Sequence, residues 1–377
     1  MQAYHILDDF ESKTRSSRFK LKGKESITKE IVIINIDDKT LANLEWPINR
    51  GLYAHVAQTL RENGASVIGY DILFSNTSQQ NEQLDQLLGA IFKMHGKVIL
   101  GIDLFEYQNP KQHTSVETDI ITKGLTINSD KIKVVDGIDA PIKPLLTNSK
   151  ALGHLNIIND SSGIFCKLNP FIRYGDKIYP SLAFAIYMAH LNIDADAINL
   201  TDDSIEITTA DGLQNIPLDS DGSMWINYKG TDKNTINYSF IDVLLAAKAQ
   251  KSGEKPTIDL TQFQDKLIIL SQTAASLGDH GATPFSNNES LVITHVNTLD
   301  NLLTGDFLNS LPNWLNILTV LLLGTAVGFI VAFLNAGRTA ISLLLLCGYL
   351  ILNQFLFNFG LMLALFLPTI TIIFSYM

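Results

Sequence analysis

Apolar and polar positions along this chain follow two regimes. In the first, continuous β-branched runs end in acidic residues: Ile31 to Ile36 reads IVIINI and stops at Asp37-Asp38, and Val67 to Tyr70 stops at Asp71. Such runs suit strands buried on both faces of a sheet. Between them Tyr53, Val56, Ala57 and Leu60 recur at helical spacing. Gly64 then stands where a helix C-cap belongs, so the spacing predicts a helix over Tyr53 to Asn63. Strand, helix, strand implies a parallel pair with a right-handed crossover. A third unit follows, with a helix over Glu82 to Met94 and a strand at Val98 to Gly101. Lys266 to Ser271 is a further buried-strand run, and Leu291 to Leu303 reads as a helix leading into the C-terminal region.

Between these α/β ends the pattern changes. Residues 105–150 are loop-rich, and Pro180 to His190 reads as a helix with proline at its start. Residues 196–235 alternate around turn signals at Asp211-Gly212 and Asp221-Gly222, as β-hairpins do. The predicted fold class is α/β, a parallel-containing mixed sheet flanked by helices with a β-rich insertion.

The second regime begins after residue 311. Trp314 to Leu334 carries no charge and is long enough to cross a hydrocarbon core of roughly 30 Å. After the break Asn335-Ala336-Gly337-Arg338, the runs Thr339 to Leu356 and Phe359 to Tyr376 are also uncharged, which predicts a C-terminal bundle of about three transmembrane helices. Pro368 is tolerable there when neighbouring groups satisfy the freed carbonyl. The expected layout is a lead-in over 1–30, a soluble domain over 31–311 and a membrane region over 312–377, with spans near 314–334, 339–356 and 359–376. Arg338 is the only charged residue after Asp306; if its loop is cytoplasmic, the soluble domain lies outside. Met1 to Glu30 has no apolar run resembling a signal peptide, and Met377 closes the last apolar run without a polar flank. The expectation is therefore a sequence lacking pieces at both ends.

Composition sharpens the contrast. Nearly all of the net charge of -10 belongs to the soluble part, and without a basic stripe interleaved with aromatics nucleic acid is excluded as a partner. The lead-in is the exception, with Lys13, Arg15, Arg18, Lys20, Lys22 and Lys24, and reads as a solvated, partly mobile segment. Cys166 and Cys347 fall in different regions, so cysteine usage leaves the redox compartment open.

Asp37, Asp38 and Asp71 stand at the C-terminal ends of predicted parallel strands, where open α/β sheets gather ligand crevices. With Arg50, and with Asp279 and His280 after the last strand, they form a candidate site for a polar ligand or an oxygen-coordinated divalent cation. The alternative is an aspartate and arginine network that caps loops and strand ends. Trp46-Pro47 reads as a packed turn into the helix. His295 and Asn297 on the last helix complete the candidate set, either as polar contacts to the sheet or as a signalling joint. No catalytic motif is present: there is no G-x-S-x-G, H-E-x-x-H, P-loop or Cys-x-x-Cys, and His55, His154 and His190 are scattered singly. No cofactor or resident metal is indicated.

Taken in order, Ile36-Asp37-Asp38, Trp46-Pro47 with Arg50, Gly64-Ala65 and Gly69 to Ser75 resemble the type-two CHASE domain, a cyclase and histidine-kinase associated sensory extracellular domain. The resemblance continues through Gly153, Asn156, Asp160, Gly163, Pro180 to Ala183, Ile226-Asn227-Tyr228 with Gly230, Ser239, Asp242 to Leu244, Lys266 to Leu270, Gly278-Asp279, Thr283-Pro284-Phe285, His295 and Asn297. It covers roughly residues 10 to 310. Departures fall near Cys166, where a basic residue is expected and Lys167 follows instead, and near Leu291 and Ile293, where a glycine and an acid are missing. These count against a ligand role for the second half. The resemblance implies a bacterial periplasmic or extracellular sensor in the inner membrane, acting as a homodimer and answering an unknown small-molecule or protein stimulus. It further implies a cytoplasmic output module of cyclase or kinase type. Two other readings remain: a metal-assisted hydrolase using Asp37, Asp38, Asp71 and Asp279, and a module that binds another membrane protein.

Overall fold

The buried runs assemble into one sheet of strands β1 (Ile31–Ile36), β2 (Val67–Asp71), β3 (Val98–Phe105), β4 (Gly137–Asp139), β5 (Ala151–His154), β6 (Ile236–Ser239) and β7 (Leu267–Gln272). The computed structural model describes residues 2–78, 81–106, 122–127, 132–277, 279–334 and 337–376, with side chains from residue 10 onward. Gly278, Asn335 and Ala336, and the 107–121 and 128–131 stretches of the expected loop-rich region, lie outside the described residues. Strand order is β6-β1-β7-β2-β3-β5 with every neighbour parallel, and β4 runs antiparallel to the last residues of β3. The crossover from β1 to β2 therefore straddles the place that β7 fills much later in the chain.

Helices α1 (Gln2–Lys22), α2 (Arg50–Glu62), α3 (Glu82–His95), α4 (Leu182–Leu191), α5 (Phe240–Ser252) and α6 (Val292–Thr304) precede the C-terminal α7 (Asn313–Phe333), α8 (Arg338–Asn358) and α9 (Phe366–Tyr376). Alternation along the strands feeds two cores. Val32, Ile34, Ile36, Ile268 and Leu270 face α2, α3 and α5. Ile31, Ile33, Leu267 and Ile269 face α4, α6 and the β-rich insertion. Covering both faces is what an unbroken aliphatic strand requires, and each fully buried Ile or Leu contributes about 1.5–3 kcal/mol. Close layer contact also depends on Gly153 of β5, where an added Cβ would lie 2.6 Å from the Leu182 Cα of α4.

The insertion follows the expected pattern only in part. Ser204–Thr209 and Gly212–Pro217 pair as a hairpin across Asp211-Gly212. The turn at Asp221-Gly222 makes no such local pair: Met224–Trp225 is antiparallel to Phe165–Leu168 instead. The extended stretch beyond it is held by two asparagines of α6. Asn297 Oδ1 accepts from the Lys229 and Gly230 amides at 2.8 and 3.3 Å, and its Nδ2 donates to Gly230 O at 3.2 Å. One turn on, Asn301 exchanges bonds of 2.9 and 3.0 Å with the backbone of Asn227. Side-chain amides on one helix face thus replace the missing strand partner.

Two expectations about the ends of the chain are corrected. The lead-in is not a solvated segment. It forms α1, whose Ser12, Arg18 and Phe19 are buried, with Phe19 packed edge-on against Phe357 of α8. The third predicted span is likewise not a continuous helix. Among the described residues two helices, α7 and α8, are long and apolar enough to cross a membrane. α9 has only 11 residues, about 16 Å, roughly half of a hydrocarbon core. Leu361–Met362 ahead of it is extended and pairs with Asn309–Ser310 between α6 and α7. Gly360 makes the turn with φ +78°; a Cβ there would meet Phe307 O at 2.4 Å.

An extended segment packed among apolar helices must find partners for its backbone, and this one does. Leu363 O accepts from Arg18 Nη1 and Asn353 Nδ2, each at 3.0 Å. Ala364 O accepts from the Tyr349 hydroxyl, and Ala364 N donates to Asn316 Oδ1 at 3.0 Å. The amides of Leu365 and Phe366 donate to the Glu11 carboxylate at 2.8 to 3.1 Å. Three of these partners are polar residues on α7 and α8, and the other two come from α1. The same helix also reaches the preceding domain: Ser12 donates to Asp160, Arg15 pairs with Asp160 at 3.3 Å, and the Arg15 guanidinium lies 4.0 Å from the Trp225 ring centroid.

Candidate functional site

The acidic residues that end the parallel strands do not converge on one point. Asp37 caps the helix Asp38–Asn43 by accepting from Thr40 N at 2.9 Å, and it also accepts from the Thr40 and Ser239 hydroxyls at 2.8 and 2.7 Å, tying the ends of β1 and β6 together. Asp38 is exposed and accepts from Ala275 N at 3.2 Å. Arg50 meets a different carboxylate: its Nε donates to Asp85 at 3.2 Å, its Nη2 donates to Asn76 O at 3.0 Å, and its guanidinium lies 4.4 Å from the Phe74 ring centroid. Asp85 is buried and also holds Ser78 N. Asp37 and Asp38 therefore bond hydroxyls and backbone amides at strand ends, and Arg50 secures the loop after β2. Asn297 is fully buried and engaged with backbone.

Asp71, Asp279 and His295 do come together. They line a cavity of about 340 Å³ at the carboxyl end of the sheet, with Asp103, Leu155, Ile157, Phe165, Gln272 and Leu291. A second cavity of about 270 Å³, lined by Trp46, Pro47, Arg50 and Asn76, shares Ile72, Leu73 and Gln272 with the first. Trp46 is half-exposed at its rim, so the expected packed turn is open on the tryptophan side. The cleft lies where β7 separates β1 from β2, the kind of position at which open α/β sheets bind ligands.

Electrostatics single out the first cavity. Burial raises the Asp71 carboxyl to about 6, against the pull of a 2.7 Å hydrogen bond donated by Ser271 Oγ. Asp279 is also raised to about 6, first by burial and then by the charge of Asp71, with His295 and His280 opposing. His295 is buried and lowered to about 4 by desolvation, so its imidazole is neutral near pH 7, and its Nδ1 has no hydrogen-bond partner among the described residues. His154, behind it, is lowered to about 3 by burial and then by His295.

The raised carboxyls fix a sign for the pH dependence of stability. In an unfolded chain these groups ionise near the ordinary value of about 4. Between about 4 and about 6 the native state keeps protons that the unfolded state has lost, so stability falls as pH rises through that window. Asp71 alone accounts for up to about 3 kcal/mol of this loss. Denaturant midpoints of the full chain in micelles should fall between about pH 4 and about pH 7, and Asp71→Asn should flatten much of the slope. A midpoint independent of pH contradicts the assignment.

Several residues at the cleft escape sequence reasoning. Asp103 lies two residues beyond the predicted end of its strand; its only signal is a polar residue in the alternation after Gly101. Asn156 holds it with a 2.9 Å bond. Phe165 and Gln272 carry no local signal, because chain topology alone brings them to the sheet edge. Among the described residues, no group of three or more His, Cys, Asp or Glu is placed to hold a metal ion, and Asp37 and Asp38 stand apart from Asp71 and Asp279. The four-carboxylate metal site considered for a hydrolase is therefore not assembled.

In comparison with known proteins, the family model described as the CHASE2 domain matches residues 1–330. No curated protein and no solved structure matches the chain.

Proposed function

The chain belongs to the CHASE2 domain family, and from that premise we propose that it is a membrane-anchored bacterial sensor. Its cleft receives an extracytoplasmic stimulus, and its membrane helices relay the outcome to an output module of cyclase or kinase type. In this reading the domain is periplasmic, the protein is a multi-pass component of the inner membrane, and it works as a homodimer without catalytic activity of its own. Arg338 supports the orientation, since it starts α8 at the end of the α7–α8 hairpin away from the domain, and short cytoplasmic loops favour arginine.

The observation that carries the reading is the position of α1. Arg15 holds Asp160 and Trp225 of the domain, while Glu11 and Arg18, one turn to either side of it, hold Asn353 and the entry to α9. A stimulus acts on such a joint only through its differential affinity for two arrangements of it. Spin labels at the exposed Ser17 and Asn358 report that arrangement. Cys347 is replaced beforehand; Cys166 can stay, because burial raises its thiol to about 12 and keeps it unreactive. The distance distribution is expected to shift between two populations as the stimulus is varied, and one unchanging distribution under every condition tried would count against relay through α1.

A further inference from the structure

We propose that the cavity bounded by Asp71, Asp279 and His295 binds a small organic ammonium ion with a short apolar body. The proposal rests on the sensor reading for its purpose and names the ligand class of that same site.

Charge is the first ground. Asp71, Asp103 and Asp279 line the cavity, and among the described residues no lysine or arginine lines it. Asp103 also faces Asp139 directly across the β3–β4 pair, an arrangement of like charges that destabilises a sheet unless a cation offsets it.

The second ground is independent of the carboxylates. His295 is only 1% exposed, lines the cavity, and leaves Nδ1 without a hydrogen-bond partner among the described residues. Buried polar atoms are rarely left unsatisfied, and a neutral imidazole protonated on its other nitrogen presents Nδ1 as an acceptor. An ammonium N–H supplies the missing donor. An anion supplies none, and would meet the carboxylates with repulsion.

The walls decide between an organic cation and a metal. A metal ion needs several ligands converging within about 2.0–2.6 Å, and no such group is assembled among the described residues. An ammonium takes its hydrogen bonds at separate points and rests its carbon skeleton on apolar surface. Leu155, Ile157, Phe165 and Leu291 provide that surface. Phe165 also brings an aromatic ring to the wall, a group that attracts cations. The volume falls at the lower end of small-molecule sites, which suits a compact amine.

The test uses the full chain in micelles, with thermal shift and calorimetry at neutral pH. The probes are putrescine, tyramine and choline, set against propionate, butyramide, and calcium and magnesium chloride at matched ionic strength. At least one amine is expected to bind saturably, and Asp71→Asn and Asp279→Asn are each expected to weaken it about tenfold or more. Phe165→Leu should weaken it less. Asp71→Asn keeps an acceptor for Ser271, and cooperative unfolding of both asparagine variants shows that the loss is local. The proposal is overturned if no amine binds, if the asparagine variants bind amines as the parent does, or if propionate, butyramide or a divalent metal binds in their place. Amine binding that leaves the Ser17–Asn358 distances unchanged upholds the ligand class and overturns the sensor reading. Distances that respond to propionate or butyramide and to no amine do the reverse.

Discussion

Replacing Arg18 with alanine is expected to destabilise the protein by about 3–5 kcal/mol, the cost of removing one partner from a buried ion pair. The side chain is 3% exposed and serves three acceptors at once: Glu11 at 2.8 Å, Asn353 Oδ1 at 3.2 Å and Leu363 O at 3.0 Å. Its guanidinium also lies 5.0 Å from the Phe357 ring centroid. Truncation leaves a carboxylate without its cation and removes a donor from a carbonyl of the extended entry to α9. Arg18→Lys should recover only part of the loss, because one ammonium lacks the planar fork that reaches acceptors in different directions. Denaturant unfolding in micelles gives the stability change, and a double-mutant cycle with Glu11→Gln isolates the pair. The same substitution should broaden the Ser17–Asn358 distance distribution. A loss below about 1 kcal/mol would mean that the pair behaves as an exposed surface bridge.

Asn297→Ala is the second large effect expected, at roughly 3 kcal/mol or more. The side chain is fully buried, and the change strands the amides of Lys229 and Gly230 and the carbonyl of Gly230. Each buried group left unpaired costs about 1–3 kcal/mol. Asn301→Ala should cost less and combine non-additively with it, since the two asparagines hold one extended strand. Denaturation midpoints of the single and double variants test both statements. Amine affinity at the cleft should be retained in folded Asn297→Ala, because Asn297 is absent from the cavity lining. A variant of parental stability would contradict the structural role, and a folded variant that has lost the ligand would place Asn297 among the binding residues.

Local pattern in the sequence determines a good deal of this protein. The runs at Ile31, Val67, Val98 and Lys266 predict strands buried on both sides, because unbroken aliphatic stretches have no solvent face to offer. Helical spacing after each run predicts α2 and α3, and the charge-free stretch from Trp314 predicts a membrane helix. The aspartates at strand ends point to the edge of the sheet where Asp71 lines a cavity, since parallel strands all end on the same side. Even Glu11 and Arg18 carry a trace of their pairing: seven positions apart, two turns of helix put them on one face.

Which of these residues meet was decided by tertiary structure. β7 enters between β1 and β2 from some two hundred residues downstream, and that insertion brings Gln272 and Asp279 to Asp71. Asp37, which looks equivalent to Asp71 in sequence, is instead drawn to Ser239, and Arg50 is drawn to Asp85. The polar lead-in becomes a buried helix because the extended entry to α9 needs donors and acceptors that its apolar neighbours lack. The third apolar run breaks for the same reason: once Glu11, Arg18, Asn316, Tyr349 and Asn353 satisfy its backbone, it has no need to be helical throughout. Periodicity reports the surface a segment must bury. The partner that buries it is set by contacts between residues far apart in the chain, and those leave no periodic mark.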